Sequence, residues 1–528
     1  MTENTQNLDY HAYRPWDHQA TFNDVLAEQL RRAPYLLASA LIHVIIGFIL
    51  ASIMLLTRDK QEVPTIIAAP PPPPPEVVEE EEPPPPPPEE EVVEEPVIEE
   101  AVIEETTEQE MLEETGDPDA NADAPFESNS GWNNAVGLGG GAGGKYGGRG
   151  GRGGKRGGNP TEQAVADALK WLYDHQSPGG FWDADEFMAY DKYPSQPPSD
   201  GKGNPAVDVG LTGLALLAFT GNGNTLAAGP YHETVAKGIA WLKSVQRDDG
   251  LFGDEVGNPT LYNHAIATMA MGEAYYFANR SPALKQPLTK AVTIILNARN
   301  NYGAWRYQLE PNGDNDSSIT GWMIFALKTA EDGKIVVDHG AYDGALTWFD
   351  SMEDKNSGRV GYAWGDGGGG PGSLPSRPVH MMDKFPADKS ESLTAVALLC
   401  RIFMTDTSKV KQWKDHPNYA VLKKNADLIA AKLPKWDNDG SIDLYYWYYA
   451  TFAMNQWGEQ HWKNWEKAIG TALVPNQRRD SADKKDNFYG SWDPADAWGE
   501  DGGRVYSTSI GALILEVYYR YAKVLGAR

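Results

Sequence analysis

From Thr161 onward two kinds of apolar pattern alternate along the chain. Stretches such as AVADALKWLYDHQ and TVAKGIAWLKSVQ space their apolar residues three and four apart, which predicts helices with one buried face. Stretches such as VGLTGLALLAF, AIATMAMGEA and STSIGALILEVYY are apolar nearly all round, which predicts helices enclosed by other protein. A short turn with glycine before a large apolar residue separates the first kind from the second: GGFW ending at Trp182, DGLF at Phe252, YGAW at Trp305, GYAW at Trp364, DGSI at Ile442 and YGSW at Trp492. The second helices are expected to begin near Val207, Leu261, Asp316, Ser390, Leu444 and Val505. Their spacings of 54, 55, 74, 54 and 61 residues predict six helical hairpins, with an insertion containing GDGGGGPGSLPSRP between the third and fourth.

The first 160 residues follow a different pattern. Residues 1–32 read as a cytoplasmic segment, and 33–57 as a single membrane span. Between Ala33 and Leu56 there is no acid, lysine or arginine, and a helix of that length is about 36 Å long, enough to cross a bilayer core. Residues 58–136 form an acidic tether. Of the 74 acidic side chains, 23 lie between Glu62 and Glu127 with no Lys or Arg among them, so the net charge of −28 is largely a property of this stretch. It says little about partners of the folded part. The proline runs Pro70–Pro75 and Pro83–Pro88 favour an extended polyproline spacer. Residues 137–160 are rich in Gly and Arg and cannot bury apolar surface; their RGG-like look is read as a swivel, not as a nucleic-acid site. The single cysteine, Cys400, lies in an apolar helical run, which excludes a disulfide within the chain and predicts a buried thiol.

Two resemblances follow from these residues. RRAPYLLASALIHVIIGFILASIMLL with the Pro/Glu tether resembles the front half of TonB. Ser39, His43 and Leu50 match that family's anchor stripe and share one helix face, whereas Met54 stands where a second Ser is expected. The likeness implies an N-terminus in the cytoplasm, a C-terminal part in the periplasm, contact of Ser39, His43 and Leu50 with an ExbB/ExbD-like proton-channel complex, and a periplasmic or outer-membrane partner. QSPGGFW (Gln176 to Trp182) and QRDDGLF (Gln246 to Phe252) are similar to the Q-x-x-x-G-x-W repeat of the terpenoid cyclase and protein prenyltransferase superfamily. That likeness implies an all-α domain over 161–528, an α6/α6 toroid with the apolar helices inside.

The chemistry of that superfamily is only partly present. Cyclases of the squalene-hopene type use a D-x-D-D-T-A acid motif; here Asp314 and Asp316 match its first and third positions and Ser317 replaces the fourth, so Asp316 is expected to be an ionised helix cap. The Asp/Cys/His zinc set of prenyltransferases is missing, and no metal or cofactor is implied. Asp208, Tyr262, His264, Asp316, Thr320, Glu391, Tyr445 and Trp447 fall in the first turns of the inner helices, so they are expected to ring one barrel mouth as a ligand-binding bowl. The reading at this point is a TonB-like protein whose toroid binds or mechanically couples to an envelope partner. The alternatives are a terpene-cyclase-like or glycan-acting enzyme with a carboxylate pair, and a passive envelope tether.

Overall fold

The computed structural model describes residues 160–520, apart from 302, 366–368, 405–409, 411, 438 and 482–483. These residues form twelve α-helices and no strand, only isolated bridges. The helices alternate as the hydrophobic pattern predicts. The outer ones are α1 Pro160–Asp174, α3 His232–Ser244, α5 Pro282–Asn297, α7 Gly340–Ser351, α9 Tyr419–Ala430 and α11 Glu459–Leu473. The inner ones are α2 Asp208–Gly221, α4 Pro259–Phe277, α6 Ser317–Asp332, α8 Ser392–Met404, α10 Leu444–Trp457 and α12 Gly499–Arg520. Each inner helix packs on the next, and α12 packs on α2, so the inner ring closes. The last helix departs from regular geometry at Gly503 (φ 64°, ψ −167°) and winds regularly from Arg504, one residue from the expected start at Val505.

The two kinds of pattern have the burial they require. In α3 the buried positions Val235, Gly238, Ile239 and Leu242 lie on one face. In α2 every residue from Gly210 to Gly221 is buried. Cys400 is buried in α8, and its thiol is pushed well up by desolvation.

The Q-x-x-x-G-x-W turn is the joint between hairpins. Gln176 Nε2 donates to Gly180 O (2.7 Å) and to Thr234 O (3.0 Å) on the next outer helix. Gln246 repeats this with Gly250 O and with Pro287 O (3.0 and 2.9 Å). Gln477 repeats it a third time with Gly490 O and with Ala164 O on α1 (2.7 and 2.8 Å), which ties the sixth turn to the first outer helix. The turn glycine has no substitute. At Gly490 φ is 94°, and a Cβ would lie 2.2 Å from Asp167 O. The turn tryptophans Trp182, Trp305 and Trp492 are fully buried, and their indole N–H groups donate to Leu172 O, Ile295 O and Leu473 O at 2.7, 2.7 and 2.9 Å.

One expected turn is elsewhere. The fourth joint is not GYAW but the segment from Glu353 to Val360, with Gly358 (φ 82°) against Lys424 of the next outer helix. Val360 takes the aromatic position, and Trp364 is 55 % exposed. Among the described residues no helix is long and apolar enough to cross a membrane. The expected span at 33–57 with Ser39, His43 and Leu50, the tether, and the glycine-rich linker before residue 160 lie outside the described residues.

Candidate functional site

All six inner helices present their first turns to one cavity of about 590 Å³, within the ordinary range of small-molecule sites. Inter-helix loops complete it with Asn204, Asn258, Tyr307, Tyr362, the segment Pro375–Pro378 of the insertion, and Trp498.

The repeat decides which side chains reach the cavity. In five hairpins a side chain near the start of the inner helix accepts the N–H of the residue at the turn's aromatic position. Trp182 N donates to Thr212 Oγ1 (3.1 Å), Phe252 N to His264 Nδ1 (3.1 Å), and Trp305 N to Thr320 Oγ1 (3.3 Å). Val360 N donates to Thr394 Oγ1 and Trp492 N to Thr508 Oγ1, both at 3.3 Å. Trp447 takes the same position in the fifth hairpin, buried against Trp436. Two residues earlier the helix has turned by about 200° and faces the other way. The residues there are Gly210, Tyr262, Ser318, Ser392, Tyr445 and Tyr506, and all six line the cavity.

This register sorts the expected bowl. Tyr262 and Tyr445 line the cavity. His264, Thr320 and Trp447 face the turns. His264 Nδ1 accepts from Phe252, so Nε2 carries the proton donated to Ala291 O (3.0 Å), and burial pushes its pKa down to about 4. Asp208 accepts from Ala184 N (2.8 Å) and holds the loop before α2; burial, with Asp183 and Asp185 nearby, pushes it up to about 7. Glu391 is a buried clamp on Arg359, with Nη2 at 2.7 Å. Asp314 pairs with Arg306 at a half-exposed position. The polar groups of His264, Thr320, Asp208, Glu391 and Asp314 meet loops and turns, and neither these five nor Trp447 line the cavity.

Asp316 has a double position. It caps α6, its Oδ1 accepting from Ser318 N (2.8 Å) and Ile319 N (2.9 Å). The same oxygen accepts from Ser318 Oγ (2.7 Å), and Ser318 Oγ meets the Tyr262 hydroxyl at 2.6 Å. Tyr445 donates to Ser318 O (3.4 Å), and the Tyr307 and Tyr362 hydroxyls bond to each other beneath the Arg306 guanidinium. Complete burial raises the Asp316 carboxyl; the bonds from Ser318, Ile319 and Tyr307 and the charge of Arg306 oppose this without cancelling it. Burial thus makes the Asp316 carboxyl a readier proton acceptor than an exposed helix cap.

The opposite wall was not legible in the sequence. The ring order puts α12 across from α6. There Asp501 lines the cavity, its carboxyl raised by burial and by Glu500. Arg377 of the insertion pairs with Asp443 in a buried ion pair and lies 5.5 Å from the Trp498 ring. Asp496, beside Asp443 and fully buried, is pushed up to about 7. The only signal of this cluster was Pro-Ser-Arg-Pro at 375–378, where two prolines stiffen the backbone around an arginine.

No family model matches the chain, and no curated protein matches it. Solved structures do. An α-1,6-mannanase of the GH76 type from Salegentibacter sp. HEL1_6 is 12 % identical with a TM-score of 0.45, over 68 % of this chain and 99 % of that one. The unsaturated glucuronyl hydrolase of Bacillus sp. GL1 is 12 % identical with a TM-score of 0.44, over 69 % and 99 %. A type II terpene cyclase from Scytonema is 12 % identical with a TM-score of 0.39, over 69 % and 97 %. At this distance the likeness concerns the α/α toroid fold alone. The expectation of a TonB-like mechanical coupler is corrected here. The bowl residues Glu391 and Trp447 are buried, Glu391 in its ion pair with Arg359 and Trp447 against the Trp436 ring, so they offer no surface for partner capture.

Proposed function

We propose that the toroid is a glycan-acting enzyme whose substrate enters the mouth cavity. The observation that carries this reading is a pair of carboxyl groups with raised pKa on opposite walls of an aromatic cavity, Asp501 facing it and Asp316 one residue behind it. Glycoside hydrolysis asks for such a pair, one group giving a proton to the leaving oxygen and the other activating the attacking water. Trp322, Tyr445 and Trp498 offer ring faces for a sugar to lie against, while Asn204, Asn258, Ser376 and Ser392 offer hydrogen bonds to hydroxyl groups.

Polar groups set into a mostly apolar lining favour this reading over a terpene cyclase. A carbocation needs a cavity free of water and of nucleophilic oxygen, whereas five tyrosines, three asparagines and three serines line this one. We further propose that the span expected at 33–57 anchors the chain in the inner membrane with the toroid in the periplasm, where envelope glycans are accessible. The test is incubation of the full chain with a polysaccharide panel, followed by chromatography of released saccharides. Release by the wild type and none by Asp501→Asn is the expected result; no release from any polysaccharide contradicts the reading.

A further inference from the structure

Asp316 does not line the cavity, yet Tyr262 and Ser318 do, and the three are joined by short hydrogen bonds. Proton inventory fixes the direction of that chain. Ser318 has one hydroxyl proton and donates it to Asp316 Oδ1 at 2.7 Å, so at 2.6 Å the Tyr262 hydroxyl must donate to Ser318 Oγ. The Tyr262 oxygen is left with lone pairs toward the cavity.

We propose that Tyr262, Ser318 and Asp316 form a proton relay that activates a water molecule in the cavity. It rests on the glycan-acting reading above. As the water oxygen bonds to the anomeric carbon, its proton passes to the Tyr262 oxygen, the Tyr262 proton to Ser318 Oγ, and the Ser318 proton to Asp316. The glycosidic C–O bond breaks, and its oxygen takes the proton of Asp501. Asp316 ends neutral and Asp501 ionised, and solvent exchange resets both. Tyr262 is the catalytic residue of the relay, while Ser318 and Asp316 act through it. The surroundings suit the terminal acceptor: Asp316 is completely buried, Tyr307, Tyr362 and Tyr445 stand around it, and the nearby cation Arg306 is already paired with Asp314. Burial favours the neutral form in which the relay ends.

The test uses the full chain and a panel of 4-nitrophenyl hexosides, whose leaving group needs no proton. Ser318→Ala and Tyr262→Phe are expected to lower kcat/KM about 100-fold, a usual contribution of general base catalysis. KM should stay near the wild-type value, and the acid limb of the pH profile, set by Asp316, should vanish. Ser318→Thr restores the hydroxyl and is expected to restore both rate and acid limb. Asp501→Asn should keep nitrophenyl hydrolysis while losing polysaccharide cleavage. Wild-type hydrolysis with an unchanged rate and acid limb in Ser318→Ala overturns the relay and leaves the glycan-acting reading intact. A wild type that cleaves neither nitrophenyl hexosides nor any polysaccharide overturns both. Melting followed by circular dichroism checks the fold of each variant, and if Tyr262→Phe melts early, the Ser318 pair decides.

Discussion

The two faces of the inner helices' first turns make an instructive pair. On the face toward the turns the six hairpins carry Thr212, His264, Thr320, Thr394, Trp447 and Thr508; on the face toward the cavity, two residues earlier, they carry Gly210, Tyr262, Ser318, Ser392, Tyr445 and Tyr506. Threonine recurs at four of these six positions because a buried backbone N–H at the joint needs an acceptor, and a threonine hydroxyl supplies one without changing the fold. The second set varies because nothing in the ring demands a common side chain there. Repetition marks the faces that hold the fold, and variation marks the face that meets a ligand.

This contrast is open to mutation. The largest effect is expected on the turn side: Trp305→Ala removes a fully buried indole and its bond to Ile295 O, and should cost about 3–5 kcal/mol in chemical denaturation. Thr320→Val keeps the shape but leaves Trp305 N without its acceptor, so a loss of about 1–3 kcal/mol is expected with cavity binding unchanged by titration.

Near the insertion the expected effect depends on pH. Burial pushes the folded Asp496 carboxyl up to about 7, whereas the unfolded side chain releases its proton near 3.8. Between those values the folded state binds more protons, so this group's contribution to stability is greatest at low pH and is lost as pH rises through about 7. Denaturation midpoints measured from pH 4 to 8 should show that decline, and Asp496→Asn should flatten it. The smallest stability effect is expected at Asp316→Asn, below about 1 kcal/mol, because asparagine caps a helix nearly as well as aspartate; a larger loss would make Asp316 a structural group like Glu391.

Much of the fold was legible because helix periodicity and the Q-x-x-x-G-x-W joint are local. Gln176, Gly180 and Trp182 lie within seven residues, and their bonds to one another and to the next helix follow from that spacing. The fourth joint was missed because Val360 stands where an aromatic residue was sought, while Gly361 and Trp364 of GYAW imitated the turn. The site was legible as a place but not residue by residue. Helix starts predicted a mouth, yet capping residues and cavity residues share the same first turns, and only the register to the threonine position separates them. Arg377 and Asp443 are 66 residues apart, and no local pattern joins them.

The central claim is that the variable face is the working one, and titration of the full chain with a series of oligosaccharides tests it most directly. Trp322 and Trp498 line the cavity, so binding should change tryptophan fluorescence and release heat in calorimetry. The account predicts saturable binding that Tyr445→Ala abolishes and Thr320→Ser preserves. Absence of binding by the wild type, or binding lost in Thr320→Ser and kept in Tyr445→Ala, would contradict it.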